Sequence, residues 1–135
     1  MSIPANATDI VKTNTLEYWK IPGQSILYGR VFDGAILDKE QVEENEVARR
    51  PLLDFDVPVP YILDISKIDK ITKEGRTLSS QLTEGFSAIA LIVGSGLSKV
   101  MGNYALMLNR PKVPLKLFTS LDEARIWVRD YMPKN

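Results

Sequence analysis

The sequence predicts an α/β fold: a single domain on a mixed, mostly parallel β-sheet with an N-terminal β-hairpin and about four α-helices. Short apolar runs alternate with helical patterns through the second half of the chain, as is typical of right-handed βαβ units. The runs are apolar throughout rather than at every second position, which indicates strands that are covered on both faces. A chain of 135 residues with 44% hydrophobic residues is long enough to bury one core of ordinary size.

Three strands and three helices are predicted in this alternating half. The strands are residues 61–65, 88–93 and 115–118. The helices, where apolar residues recur every three or four positions, are residues 72–82, 97–108 and 121–131. Ser120 and Glu123 have the spacing of a capping box at the start of the last helix.

The first half of the chain predicts a hairpin and one exposed helix. Strands at residues 16–21 and 25–32 flank the turn Pro22-Gly23-Gln24, and Gly29 marks a bulge or a close approach. Asp38 is placed to cap a helix that runs to about residue 49 and ends before Pro51. Residues 1–15 are predicted to be a flexible segment, and residues 16–135 to be the domain.

Composition narrows the chemistry that the chain can perform. It has no cysteine and no histidine, which excludes thiolate nucleophiles, disulfides and serine–histidine triads. Lys plus Arg equals Asp plus Glu at 17 each, so no nucleic-acid partner is expected. The longest uncharged run, residues 85–98, is too short to span a bilayer. We expect a cytoplasmic protein with no integral membrane segment and no cofactor.

Residues 61–75 read YILDISKIDKITKEG and resemble a segment of STAS domains, the anti-sigma-factor antagonist family. Similar pieces at residues 59–64, 72–76, 89–95, 102–109 and 114–127 make the chain resemble small bacterial STAS/SEC14-like (SpoIIAA-like) proteins of uncharacterised function. The resemblance implies a STAS-like fold. Phosphorylatable members open the corresponding helix with Asp-Ser-Ser/Thr-Gly, whereas this chain has Thr72-Lys73-Glu74-Gly75. Lys73 therefore stands where the acceptor serine would be, which argues against that phosphorylation switch.

Polar residues follow the strands at the edge where parallel strands end. Hydroxyl groups, a Gly-Ser-Gly turn and helix N-termini at this edge could bind a small anion or a protein partner. Helix capping and tight turns explain the same residues without a ligand. The candidate binding residues are Ser66, Asp69, Thr72, Lys73, Gly94, Ser95, Gly96, Thr119 and Ser120.

Two clusters of charged residues are further candidates for a functional site, one acidic and one basic. Asp64, Asp69 and Glu74 could form an oxygen-ligand metal site or an acid–base pair. Alternatively, Asp69 and Glu74 satisfy helix N–H groups while Asp64 pairs with a base such as Arg76. Four basic residues could form a patch for an acidic partner, or simply a charged surface near helix ends. They are Lys99, Arg110, Lys112 and Lys116.

The predicted hairpin is rich in aromatic residues. Because alternate residues of a strand face opposite ways, about half of these side chains should pack inward and the others should form an exposed apolar face. Such a face often marks an interface, which suggests a homodimer through the hairpin. The residues are Tyr18, Trp19, Tyr28 and Phe32.

Three functional hypotheses follow. The first is a non-catalytic binding or regulatory module that acts through an unknown protein partner or a small anionic ligand. The second, which follows from the resemblance, is a SEC14-like carrier of a lipid or small ligand; it requires an apolar cavity beside the helix at residues 97–108 or the helix at residues 72–82. The third is a carboxylate-dependent enzyme, with or without a divalent metal, which requires carboxylates that converge in a cleft.

Overall fold

The computed structural model describes residues 1–94 and 112–134. A six-stranded sheet forms its centre, in the order β1-β2-β3-β5-β7-β8. Its strands are β1 (Thr8–Lys12), β2 (Leu16–Lys20), β3 (Leu27–Val31), β5 (Val59–Asp64), β7 (Phe86–Ile92) and β8 (Leu115–Phe118). Strands β4 (Ile36–Leu37) and β6 (Lys70–Ile71) form a separate parallel pair. The helices are α1 (Lys39–Arg49), α2 (Lys73–Gln81) and α3 (Leu121–Val128), with 3-10 turns at Arg50–Leu52 and Arg129–Tyr131.

The central sheet is mixed, as predicted. β1 and β3 run antiparallel to β2, and β3, β5, β7 and β8 run parallel to one another. The carboxyl ends of these four parallel strands therefore lie at one edge of the sheet. Within the described residues, no helix is long and apolar enough to cross a membrane.

Helices cover both faces of the sheet and create two cores. On the first face, α3 packs through Ala124 and Val128 against Trp19, Tyr28 and Ile62. The second face lies under α1 and α2 and contains the other core. This core includes Leu16, Tyr18, Leu27, Tyr61, Phe86 and Ile89.

The N-terminal region differs from the prediction. The hairpin β2–β3 is present, but β1 extends it to a three-stranded antiparallel unit. β1 lies within the segment that was expected to be flexible. All its residues are exposed or half-buried, and a register shift between Thr8 and Val11 accompanies the positive φ of Asp9. An exposed strand of this kind is held by backbone pairing, so it carries no alternating apolar pattern that a sequence reading could detect.

The prediction of an exposed aromatic face on the hairpin is wrong. Tyr18, Trp19 and Tyr28 are each at most 1% exposed, because β1 and β5 flank the hairpin and both of its faces are covered. Trp19 stacks on Tyr28 with ring centroids 5.9 Å apart. These aromatic residues belong to the core of one chain.

The helices also differ from the prediction, both in their number and in the residues that they bury. The described part of the chain contains three α-helices rather than about four, and the predicted helix at residues 97–108 lies outside that part. Asp38 caps α1 as predicted, accepting a hydrogen bond from the Gln41 amide at 2.9 Å. The buried residues of α1 are Val42, Asn45 and Arg49, whereas Val47, an apolar residue of the same helix, is 66% exposed.

Candidate functional site

At the carboxyl end of β5, the Asp64 carboxylate binds the N-terminal ammonium group. The ammonium nitrogen of Met1 lies 2.8 Å from Asp64 Oδ2, and the Ser66 amide donates to Oδ1 at 2.9 Å. The Met1 and Asp64 side chains are 2% and 4% exposed. Burial by itself would raise the pKa of Asp64, but the hydrogen bonds from the ammonium group and Ser66, with the ammonium charge, lower it.

A row of charges continues from Asp64 across the neighbouring strands. Arg30 pairs across the sheet with Asp64 on one side and Glu17 on the other. Its guanidinium forms an ion pair with the Glu17 carboxylate and donates to the Met1 carbonyl at 3.2 Å. The first residue of the chain thus occupies the crevice in which the sequence predicts a ligand, on the sheet face that α3 covers.

The candidate binding residues are divided between the two faces of the sheet. Thr72 caps α2, its hydroxyl accepting from the Gly75 amide at 3.0 Å, and Ser120 caps α3, accepting from the Glu123 amide at 3.4 Å. Because α2 and α3 lie on opposite faces, these two hydroxyl groups do not share one crevice.

The other candidates take varied positions. Ser66 and Asp69 lie in the connection between β5 and β6, and Asp69 is exposed. Lys73 opens α2 and borders a shallow surface groove with Lys39 and Glu74. Gly94 follows β7, and Thr119 is exposed after β8. Ser95 and Gly96 lie outside the described residues.

Replacing Thr72 with alanine should cost about 1 kcal/mol of unfolding free energy, because the Gly75 amide loses its capping acceptor. Urea denaturation followed by circular dichroism would measure this loss. Ser79→Ala, on an exposed position of the same helix, is the matched control and should change stability by less than about 0.5 kcal/mol. Equal effects of the two substitutions would contradict the capping role of Thr72.

The three candidate carboxylates do not converge. Asp64 is buried and bound to Met1, whereas Asp69 and Glu74 are exposed. No group of three or more potential metal-binding side chains occurs among the described residues. The expected pairing of Asp64 with Arg76 is wrong, because the Met1 ammonium group takes that place; Arg76 Nη1 donates to the Ile71 carbonyl at 3.2 Å.

Two of the four residues of the predicted basic patch lie within the described part of the chain. Lys112 and Lys116 are exposed, and the Lys116 ammonium lies 5.5 Å from the centroid of the Phe118 ring. Lys99 and Arg110 lie outside the described part of the chain.

A cavity of about 160 Å³ lies between the second face of the sheet and the helices α1 and α2. Its floor is formed by apolar side chains of the central sheet, with Tyr61 and Leu63 on β5, Ile89 and Leu91 on β7, and Leu115 on β8. Leu63, Leu91 and Leu115 are only half-buried. The mainly apolar lining favours a ligand with a large apolar part over a sugar or an inorganic ion.

The helical wall of the cavity adds a few polar groups. α1 contributes Asn45 and Arg49 beside the apolar Val42, and α2 contributes Ser79 and Ser80. The Asn45 side chain is fixed by two residues that do not line the cavity. It exchanges hydrogen bonds with the hydroxyl of Thr15 and accepts one from the hydroxyl of Thr13.

Two tyrosines line the cavity in their neutral form. Tyr18 donates to the Asn45 carbonyl at 3.0 Å. Burial raises the pKa of Tyr18, with Arg49 opposing the shift, and burial raises the pKa of Tyr61 well above its ordinary value. The phenols therefore provide polarity without negative charge.

The position of the cavity meets one requirement of the ligand-carrier hypothesis. A cavity beside the helix at residues 72–82 was the stated requirement of a ligand carrier, and α2 forms part of its wall. Gly29 marks a close approach, as expected: a Cβ there would lie 3.0 Å from the Tyr61 hydroxyl and 3.1 Å from Leu63 Cδ1. Arg49 was missed, although its spacing from Val42 and Asn45, at i, i+3 and i+7, places the three on one helix face.

Comparison with solved structures supports the predicted fold. The structure is similar to a crystal structure of an uncharacterized protein from the DUF3478 family with a SpoIIAA-like fold, from Shewanella loihica PV-4. The TM-score is 0.58 at 16% sequence identity, over 94% of this chain and 99% of that chain. The resemblance to STAS-like proteins is thereby confirmed at the level of fold.

Comparison of sequences adds a family. Residues 19–132 match a family model described as a domain of unknown function, DUF7793. No curated protein matches the chain.

Proposed function

The chain belongs to the family DUF7793, and we propose that it is a non-catalytic module that binds a small, largely apolar ligand in the cavity between its sheet and the helices α1 and α2. The observation that carries this proposal is the cavity itself. Its volume of about 160 Å³ is close to the roughly 150 Å³ of an engineered cavity that binds benzene. One aromatic ring or a short branched chain fits this space.

The geometry favours this cavity over the carboxyl ends of the strands. At the strand ends, the Met1 ammonium group already binds Asp64, and the hydroxyl groups of Thr72 and Ser120 cap separate helices. The cavity, in contrast, is surrounded by half-buried leucines that gain apolar contacts when a ligand enters.

A non-catalytic role agrees with the arrangement of titratable groups. Asp64 is held by Met1, and Asp69 and Glu74 face solvent, so these carboxylates do not form an acid–base pair. The phenols of Tyr18 and Tyr61 have raised pKa values, which makes both poor general bases near neutral pH.

Binding of benzyl alcohol, a neutral aromatic probe, tests the proposal. In a ¹H–¹⁵N NMR titration, we expect shift changes around the cavity residues Leu63 and Leu91. Leu91→Trp and Leu115→Trp fill the cavity with an indole ring, and each should abolish binding. Ile126→Trp, on the opposite face at a position that is 59% exposed, adds the same side chain away from the cavity and should leave binding unchanged.

Two results would contradict the proposal. One is the absence of saturable shift changes in the unaltered chain. The other is equal binding by the two cavity-filling variants and Ile126→Trp, because this would place the probe elsewhere. A thermal denaturation curve for each variant verifies that loss of binding does not reflect loss of the fold.

The sequence also predicts docking of a protein partner, a homodimer through the hairpin and a cytoplasmic location. These stay predictions. Burial of Tyr18, Trp19 and Tyr28 within one chain removes the exposed aromatic surface on which the homodimer was based. Native mass spectrometry of the protein from its own host would detect a second chain, a partner polypeptide or an added small mass.

A further inference from the structure

Arg49 is a buried cation in the wall of the cavity. It lies in the last turn of α1 and is 9% exposed. Its guanidinium carbon lies 5.1 Å from the centroid of the Phe86 ring, and Nη2 donates to the Leu82 carbonyl at 2.7 Å. These contacts hold the guanidinium in place without neutralising its charge. A charge removed from water in this way is costly unless an opposite charge accompanies it.

Among residues 1–94 and 112–134, no acidic side chain lies within 4.0 Å of the Arg49 guanidinium. Two acids of the neighbouring segments form their ion pairs with Arg50 instead. Glu46 Oε1 lies 2.6 Å and Glu84 Oε1 lies 3.8 Å from Arg50 Nη1. The described lining of the cavity likewise contains arginine but no aspartate or glutamate.

We propose that the ligand is a small monocarboxylate whose carboxylate binds Arg49 and whose apolar part, one aromatic ring or a short branched chain, lies over the leucines of the cavity floor. This inference rests on the proposed function, because it requires the cavity to be a binding site. The planar guanidinium presents paired N–H donors that match the two oxygens of a carboxylate. The ligand thus supplies the negative charge that the described lining lacks.

The energetics favour an anion over a neutral ligand of the same shape. Arg49 is already removed from water in the ligand-free chain, so the desolvation of the carboxylate is the main cost that an anion has beyond those of a neutral ligand of the same shape. Salt screens such a buried contact less than it screens a pair at the surface. Neutral Tyr18 and Tyr61 add no repulsion to a carboxylate.

Benzoate and benzyl alcohol form a matched pair of probes for this inference. The two share one aromatic ring and differ mainly in charge. Isothermal titration calorimetry of the unaltered chain should give a Kd for benzoate that is lower by at least about tenfold, in line with a charge-assisted, bidentate hydrogen bond. Equal affinities, or tighter binding of benzyl alcohol, would overturn the carboxylate inference and leave the proposed function intact. No binding of either probe would overturn both.

Two arginine variants locate the source of the preference. Arg49→Met keeps an unbranched side chain and removes the guanidinium charge, so the preference for benzoate should disappear while benzyl alcohol still binds. Arg50→Met, at the neighbouring position that is exposed, is the control and should keep the preference. A preference that survives Arg49→Met and disappears in Arg50→Met would contradict the assignment. If Arg49→Met does not fold, Arg49→Lys, which retains charge but not the paired donors, should show a reduced preference.

Discussion

Asp64→Asn should destabilise the protein by about 2–3 kcal/mol at neutral pH, because it leaves the partly buried Met1 ammonium group without its counterion. The loss is expected because the Asp64 side chain is buried and its contact with the ammonium group is partly buried. Arg30, which contacts the Met1 carbonyl, depends on the same position of the first residue. Urea denaturation measures the change. The protein should carry any affinity tag at its C-terminus, and intact mass should verify that Met1 is retained.

The effect of Asp64→Asn should also depend on pH. The pKa of Asp64 in the folded protein is lower than in the unfolded chain, so the unfolded chain binds more protons between the two values. The contribution of Asp64 is therefore fully present above the unfolded pKa, about 3.9, and is lost as the pH falls through the folded pKa. The difference in stability between the unaltered chain and Asp64→Asn should become smaller below about pH 4.

Asp69→Asn is the control for this experiment. Asp69 is exposed, and its substitution should change the free energy of unfolding by less than about 0.5 kcal/mol. A loss below about 1 kcal/mol for Asp64→Asn at neutral pH, or a loss that does not vary toward acidic pH, would contradict the ion pair as the source of stability.

Gly75→Ala is expected to destabilise the protein by about 1–3 kcal/mol through overpacking, although alanine is the better helix former by about 1 kcal/mol. Gly75 lies in the first turn of α2. A Cβ there would overlap the Leu37 carbonyl oxygen and lie 3.2 Å from both the Leu37 carbonyl carbon and the Thr72 hydroxyl. The atom that a Cβ would overlap belongs to the backbone of β4, so either α2 or β4 has to move.

Thermal and urea denaturation of Gly75→Ala would measure this loss. Lys73→Ala, two residues earlier at an exposed position of the same turn, should leave stability unchanged or slightly raised, because it removes a cation from the positive end of the helix dipole. A stabilised Gly75→Ala would show that helix propensity outweighs the close approach and would contradict this account.

Elements with a strong apolar pattern were predicted well. β8 has the predicted bounds, α3 starts at the predicted residue, and α2 lies between its predicted ends. In these segments, burial of one face or of both faces determines the pattern in the sequence. The strands β1, β4 and β6 were missed because they are short or exposed and are held mainly by backbone pairing.

The two groups that dominate the candidate sites were also missed, for a different reason. The Met1 ammonium group contacts Asp64 across 63 residues of sequence, and no local pattern indicates so distant an ion pair. Arg49 faces the interior of the protein although it is charged, which reverses the usual rule for amphipathic helices. In both cases, a specific partner rather than hydrophobicity determines burial: Asp64 for Met1, and Phe86 and the Leu82 carbonyl for Arg49.

The cavity under α1 and α2 has a mechanical consequence. A folded chain that encloses unfilled space has a larger partial volume than the unfolded chain, whose solvated side chains leave no such void, and hydrostatic pressure therefore shifts the equilibrium toward unfolding. Among the described residues, the second face of the sheet borders the cavity, so we expect its packing to yield to pressure before that of the first face, where Trp19 stacks on Tyr28 under α3. A molecule that occupies the void removes this difference between the two faces.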